Sequence, residues 1–170
     1  PRCAVIVSGD DLARNANIAY SQRGLRPSAA SDYVNTYAAL NPWRGGQASQ
    51  ALYQVYQDDQ ILARDIAHQS PYYTDWLSPQ GDFGAATGVV LLREGAKQLT
   101  LEIRYPEGEQ ARLRDQASLL LGDAASHFGR AFEIANRSRF AAGRGYLDNV
   151  VEDLPFPVFF VSEDMRIQYS

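Results

Sequence analysis

The side chains with the greatest chemical reach in this chain are rings. Tyr37, Trp43, Tyr53, Tyr56, Tyr72, Tyr73, Trp76 and Phe83 fall within one stretch, and Arg104 follows on a strand-like run. Residues of these types form small-molecule sites: ring faces take an apolar or aromatic guest, and phenolic hydroxyls supply the few polar anchors such a site needs. Arg104 adds a charge that a guest can meet. The same residues also read as an ordinary aromatic core, with Arg104 on a solvated strand face, and the sequence leaves both readings open.

Catalytic groupings are missing by comparison. His68 and His127 are far apart, each on a helix, with no second ligand at metal spacing. There is no G-x-S-x-G, no phosphate-binding loop and no H-E-x-x-H. Cys3 reads as a small strand residue, and Asp58 with Asp59 as a helix start. The expectation is a non-enzymatic chain with neither metal nor cofactor.

The elements that must position the rings are legible around 70–105. Ser70 before Pro71 is a helix start, because proline at the first helical position gives up no hydrogen bond. Tyr72 and Tyr73 precede Trp76 by four and three residues, so their rings share a face. Pro79, Gln80 and Gly81 stop that helix. A strand low in bulk, Gly84 to Gly88, runs into Val89 to Leu92, turns at Gly95 and returns with Leu99, Leu101, Ile103 and Tyr105 alternating against Thr100, Glu102 and Arg104. An aromatic helix leaning on this glycine-rich hairpin leaves room over the sheet.

Upstream, Cys3 to Val7 and Asn15 to Tyr20 suggest an opening hairpin, the first strand closing at Gly9 to Asp11. Ser28 begins a helix, Ala29 to Leu40, with Tyr33, Val34, Tyr37 and Leu40 inward. A further helix is capped by Asp58, with Ile61, Leu62 and Ile66 inward. From Glu109 a long helical stripe includes Leu113, Ala117, Leu120, Leu121, Ala124, Phe128 and Ala135. About 28 residues at 1.5 Å each would span roughly 42 Å, more than one small sheet needs. Leu113, Ala117, Leu121, Ala124, Phe128 and Ala135 are therefore the expected dimerisation face, the other reading being that they pack on the chain's own sheet.

Composition bounds these readings. The 170 residues are 45% hydrophobic and 21% charged, enough for one full core and too apolar for disorder. A formal charge of −4 speaks against direct nucleic-acid binding. The single cysteine excludes an internal disulfide and suits a reducing cytoplasm. No apolar run reaches the roughly 18 residues of a membrane span. Both ends read as cut, so the chain is expected to be part of a longer protein. Its expected divisions are a sensory domain over 1–136, a helical linker over 137–154, and the first hairpin of a second domain over 155–170.

The run from Tyr33 to Phe132 resembles the N-terminal sensory region of bacterial LuxR-type regulators, which end in a helix-turn-helix. The landmarks are Y-x-x-L-N-P-W (Tyr37 to Trp43), Y-x-D-W-L-x-P-Q-G (Tyr73 to Gly81), G-V-V-L-L-R (Gly88 to Arg93), and L-R-x-x-A-S-L-L-L-G (Leu113 to Gly122) followed by F-G-R-A-F. The tail L-P-F-P-V-F-F-V is similar to the opening of a PAS domain. The resemblance implies an α+β fold, a GAF/PAS-like antiparallel sheet flanked by helices with a long C-terminal connector helix. It also implies a homodimer that senses a small apolar or aromatic ligand and acts on DNA only through a module outside this chain. A more distant likeness is to acyl-homoserine-lactone receptors. Asn41 stands where those carry an aspartate, and no tryptophan precedes Tyr33 or Tyr37, which speaks against a lactone. The alternatives are a ligand-free dimerisation module, or the sensor of a histidine kinase or cyclic-dinucleotide enzyme.

Overall fold

The computed structural model describes residues 3–139, 160–161 and 167–169. Strands β1 (Ala4–Asp11) and β2 (Ala16–Arg23) form the opening hairpin. Its turn is fastened by Asp11, whose Oδ1 accepts the N–H groups of Ala13 and Arg14 at 3.1 Å each. β1 runs on through Gly9, Asp10 and Asp11, where the sequence alone suggests that it closes. The extension is possible because Asp10, buried there, has neutralising partners: Arg44 Nε at 3.3 Å and hydrogen bonds from Ser8 and Asn17.

Short helical turns then cover the sheet. Helix α1 (Ala29–Asp32) continues into a π-helical stretch at Tyr33–Tyr37 and a 3₁₀ turn at Ala38–Leu40. After Pro42 come α2 (Arg44–Gln47), β3 (Val55–Gln57), α3 (Asp58–Ile61) and α4 (Arg64–His68). A second π-helical stretch, Tyr72–Leu77, ends in a 3₁₀ turn at Ser78–Gln80 and a positive-φ glycine, Gly81. The strands β4 (Ala85–Glu94) and β5 (Lys97–Tyr105) follow, then α5 (Gln110–Arg139).

The sheet is five-stranded and antiparallel, in the order β2-β1-β5-β4-β3. With helical turns over one face and the long α5 against the other, this is the expected α+β arrangement of an antiparallel sheet flanked by helices. Tyr105 and Ala85 on one face meet Leu113 and Ala117 of α5, with Ile103 alongside. The other face lies beneath the aromatic turns. β6 (Phe160–Val161) and β7 (Ile167–Tyr169) make a separate antiparallel pair. Contacts divide the chain into two units, 1–125 and 126–170. The expected linker lies, beyond residue 139, outside the described residues.

Several expected details change. Val34, Leu40 and Ile66 are exposed, not inward. A π turn bonds i to i+5, so a face drawn at ordinary helical spacing rotates away across Tyr33–Tyr37. Helix α3 is capped by Gln57, in a reciprocal box with Gln60, and Asp58 is its first residue. On α5, Leu113, Ala117 and Leu121 are buried, whereas Leu119 and Leu120 are exposed.

Candidate functional site

β5 carries the decisive inversion. Its alternation is as read from sequence, yet the polar side is the better covered: Gln98, Thr100, Glu102 and Arg104 are all buried, while Leu99, Leu101 and Ile103 are only partly so. Arg104 has no solvent exposure, which corrects the reading of a solvated strand arginine. The cause lies far away in sequence. Turns carrying Trp43, Tyr72 and Trp76 close over this face, and their partners could not be inferred from β5 itself.

The floor is built in rows across the strands. Arg104 rises between Ala4 and Ala86, its register neighbours on β1 and β4, both of them small side chains. In the next row Glu102 stands between Ile6 and Gly88, and Tyr56 lies beyond Gly88 on β3. Gly88 is required there. A Cβ at that position would sit 2.5 Å from the Cζ and hydroxyl of Tyr56.

Rings form the roof. The indole of Trp43 lies against the guanidinium, 4.6 Å from ring centroid to Cζ, and Tyr72 stands at 6.0 Å. Tyr72 meets Trp43 edge-on at 5.8 Å and Trp76 at 4.9 Å. Tyr33 joins Trp76 at 5.2 Å and stacks on Tyr20 at 4.3 Å. Trp76 is anchored, its N–H donating to the carbonyl of Ala29 at 3.2 Å.

Two ion pairs lie under this roof. Arg44 and Asp10 form one, with Arg44 Nη1 also donating to Asn15 and the Ala38 carbonyl, and Nη2 to the Ala16 carbonyl. Glu102 and Arg104 form the other, Nη2 to Oε2 at 3.2 Å. Glu102 is otherwise satisfied: its Oε1 accepts Gln47 Nε2 at 2.6 Å and the Tyr56 hydroxyl at 3.2 Å. Arg104 is not. The contact with Glu102 lacks hydrogen-bond alignment, and Nε, Nη1 and Nη2 are all buried without a hydrogen-bond partner. The Trp43 N–H and the Tyr20 hydroxyl share that condition.

Electrostatics follow from burial. Desolvation, reinforced by Asp10, pushes the Tyr33 hydroxyl up to about 12, and desolvation raises Tyr20, Tyr56 and Tyr72 as well. These phenols stay neutral donors. Desolvation also raises the Asp10 carboxyl, against the pull of Arg44. For Arg104, desolvation pulls downward but Glu102, Tyr72 and Asp58 outweigh it, so the guanidinium remains charged.

The structure thus gathers Trp43, Tyr72 and Trp76 above Arg104, with Tyr37 stacked on Trp76 at 6.3 Å and Tyr56 on Glu102. Phe83 belongs to the same buried cluster. Tyr73 turns aside and stacks on His68 at 3.9 Å. Tyr53 is exposed, in a left-handed turn with φ of 63°. Sequence reasoning missed Tyr20, Tyr33, Arg44 and Glu102 as members of the site. The available signal was the fully polar inner side of β5, facing a chain with no other place to put so many rings.

Among the described residues no group of three or more histidine, cysteine or acidic side chains could hold a metal, and no helix is long and apolar enough to cross a membrane. The chain matches no protein-family model, no curated protein and no solved structure at a significant level.

Proposed function

We propose that this chain is the small-molecule-sensing and dimerisation region of a cytoplasmic transcriptional regulator of the LuxR type, which reaches DNA through a module outside this chain. The observation that carries the sensing part is the buried, hydrogen-bond-deficient guanidinium of Arg104 beneath Trp43 and Tyr72. A buried donor left without a hydrogen bond costs about 1–3 kcal/mol. A guest that supplies acceptors recovers that cost. The guest then biases a two-state equilibrium only by the difference in its affinity for the two states. The route outward is short, because Tyr105, next in sequence to Arg104, packs on α5.

The rival is a ligand-free dimerisation module in which Glu102 alone balances Arg104; the 3.2 Å ion pair favours it. A thermal-shift screen of the full chain against small aromatics, lipids and metabolites separates the two. Sensing predicts stabilisation by at least one compound class, about 2.7 kcal/mol at a hundredfold excess over Kd. A screen in which nothing stabilises the protein leaves the module.

A further inference from the structure

The charges and donors around Arg104 narrow the guest beyond a small aromatic molecule. A guanidinium carries five N–H groups, and Arg104 spends none of them in a hydrogen bond. The indole N–H beside it, on a ring 4.6 Å from Cζ, is likewise unspent. The neighbouring acceptor, Glu102 Oε1, is already taken by Gln47 and Tyr56. Even with the unspent Asp58 Oδ1 counted against them, donors are in excess, and the guest must bring acceptors.

Its charge is constrained separately. The positive charge of Arg104 is already faced by Glu102 at 3.2 Å. Asp58, a further buried carboxylate, also acts on Arg104 electrostatically. A carboxylate or phosphate entering here would add a negative charge with no cation left to balance it, in a medium where unbalanced charge is prohibitive. A cationic guest would meet Arg104 itself and find Glu102 occupied. We infer that the site takes a flat aromatic molecule bearing a neutral carbonyl (a ketone or amide), with the oxygen placed between the Arg104 guanidinium and the Trp43 N–H. This rests on the sensing reading and names the ligand class of that same site.

Four matched probes test it by calorimetry on the full chain: naphthalene, 1-acetonaphthone, 1-naphthoate and 1-naphthylmethylammonium. 1-Acetonaphthone is expected to bind roughly tenfold or more tighter than naphthalene, the effect of a hydrogen bond from a charged donor. The two ions are expected to bind more weakly than the ketone. Trp43→Phe keeps an aromatic ring and deletes the N–H, so it should narrow the ketone's advantage over naphthalene measured on the same variant; Arg104→Met should abolish that advantage. Tightest binding by 1-naphthoate, equal binding of naphthalene and ketone, or no binding of any probe would each overturn the neutral-carbonyl assignment. Sensing itself is decided separately by the broader thermal-shift screen, where stabilisation by other chemistry would preserve it.

Discussion

Arg104 and Tyr105 are consecutive on β5, both fully buried, and face opposite sides of the sheet. Arg104 points to the rings. The Tyr105 hydroxyl lies 2.8 Å from Thr87 Oγ1, Thr87 donates to Gln57 Oε1 at 2.9 Å, and Gln57 Nε2 donates to Ser118 Oγ on α5 at 3.2 Å. One peptide unit separates the candidate binding face from a polar chain ending on the long helix.

Tyr105→Phe should interrupt that polar chain without opening a void. The loss expected is one net hydrogen bond, about 0.5–1.5 kcal/mol in urea unfolding. A change within error would mean that the Thr87 and Gln57 partners satisfy each other without it.

Arg104→Met strands the Glu102 carboxylate in a dry interior and should cost about 3–5 kcal/mol. Adding Glu102→Gln to that variant removes the stranded charge, while keeping an acceptor for Gln47 and Tyr56. Most of the lost stability should return in the double variant. If the two costs simply add, Glu102 and Arg104 are not acting as a pair.

Gly88→Ala drives a methyl into a rigid ring, since the Tyr56 atoms nearest the new Cβ are aromatic carbon and hydroxyl. A destabilisation of roughly 1–3 kcal/mol is expected, as for other overpacked sites. Gly108→Ala, where nothing lies within 4 Å of the new Cβ, is the control and should stay close to wild type.

Burial holds the Asp58 carboxyl above the ordinary carboxylate range, against the pull of Arg104 and a backbone hydrogen bond. The folded state then binds the proton more tightly than the unfolded chain. Its contribution is full below the unfolded pKa of about 4 and is lost as pH rises through the raised folded value. Asp58→Asn should therefore flatten the fall in urea midpoint as pH is raised from about 4 toward neutrality. An unchanged slope would assign the fall to Asp10, which is raised by the same cause.

Leu119 and Leu120 are 72% and 63% exposed, while Leu113 and Ala117 pack on the chain's own sheet and Leu121 is buried. Pairing through α5 near these positions would use the exposed pair. Leu120→Asp should convert a dimer to a monomer on a sizing column with little change in melting temperature. A dimer of unchanged elution volume would move the interface off this part of the helix.

Local pattern made much of this fold readable. The period-two run on β5, the stop at Gly81 and the long stripe of α5 all depend on residues close in sequence. What covers each face does not. Arg104 looks solvated until Trp43, some sixty positions earlier, is brought over it, and only the folded chain makes that contact. Spacing also failed where the helix itself changes pitch: Val34 and Leu40 fit an α-helical face and end up outside. Residue type alone groups Tyr53 with the other rings, yet it stands exposed in a left-handed turn.

The wide turns at Tyr33–Tyr37 and Tyr72–Leu77 each hold one residue more than ordinary coiling would accommodate. Loss of a single codon in either stretch would let it tighten, swinging the side chains beyond it by about 100° around the axis. Which rings look down on the guanidinium is thereby governed by segment length as much as by residue type. A one-residue insertion or deletion in either stretch would redirect the roof over Arg104 without changing a single ring.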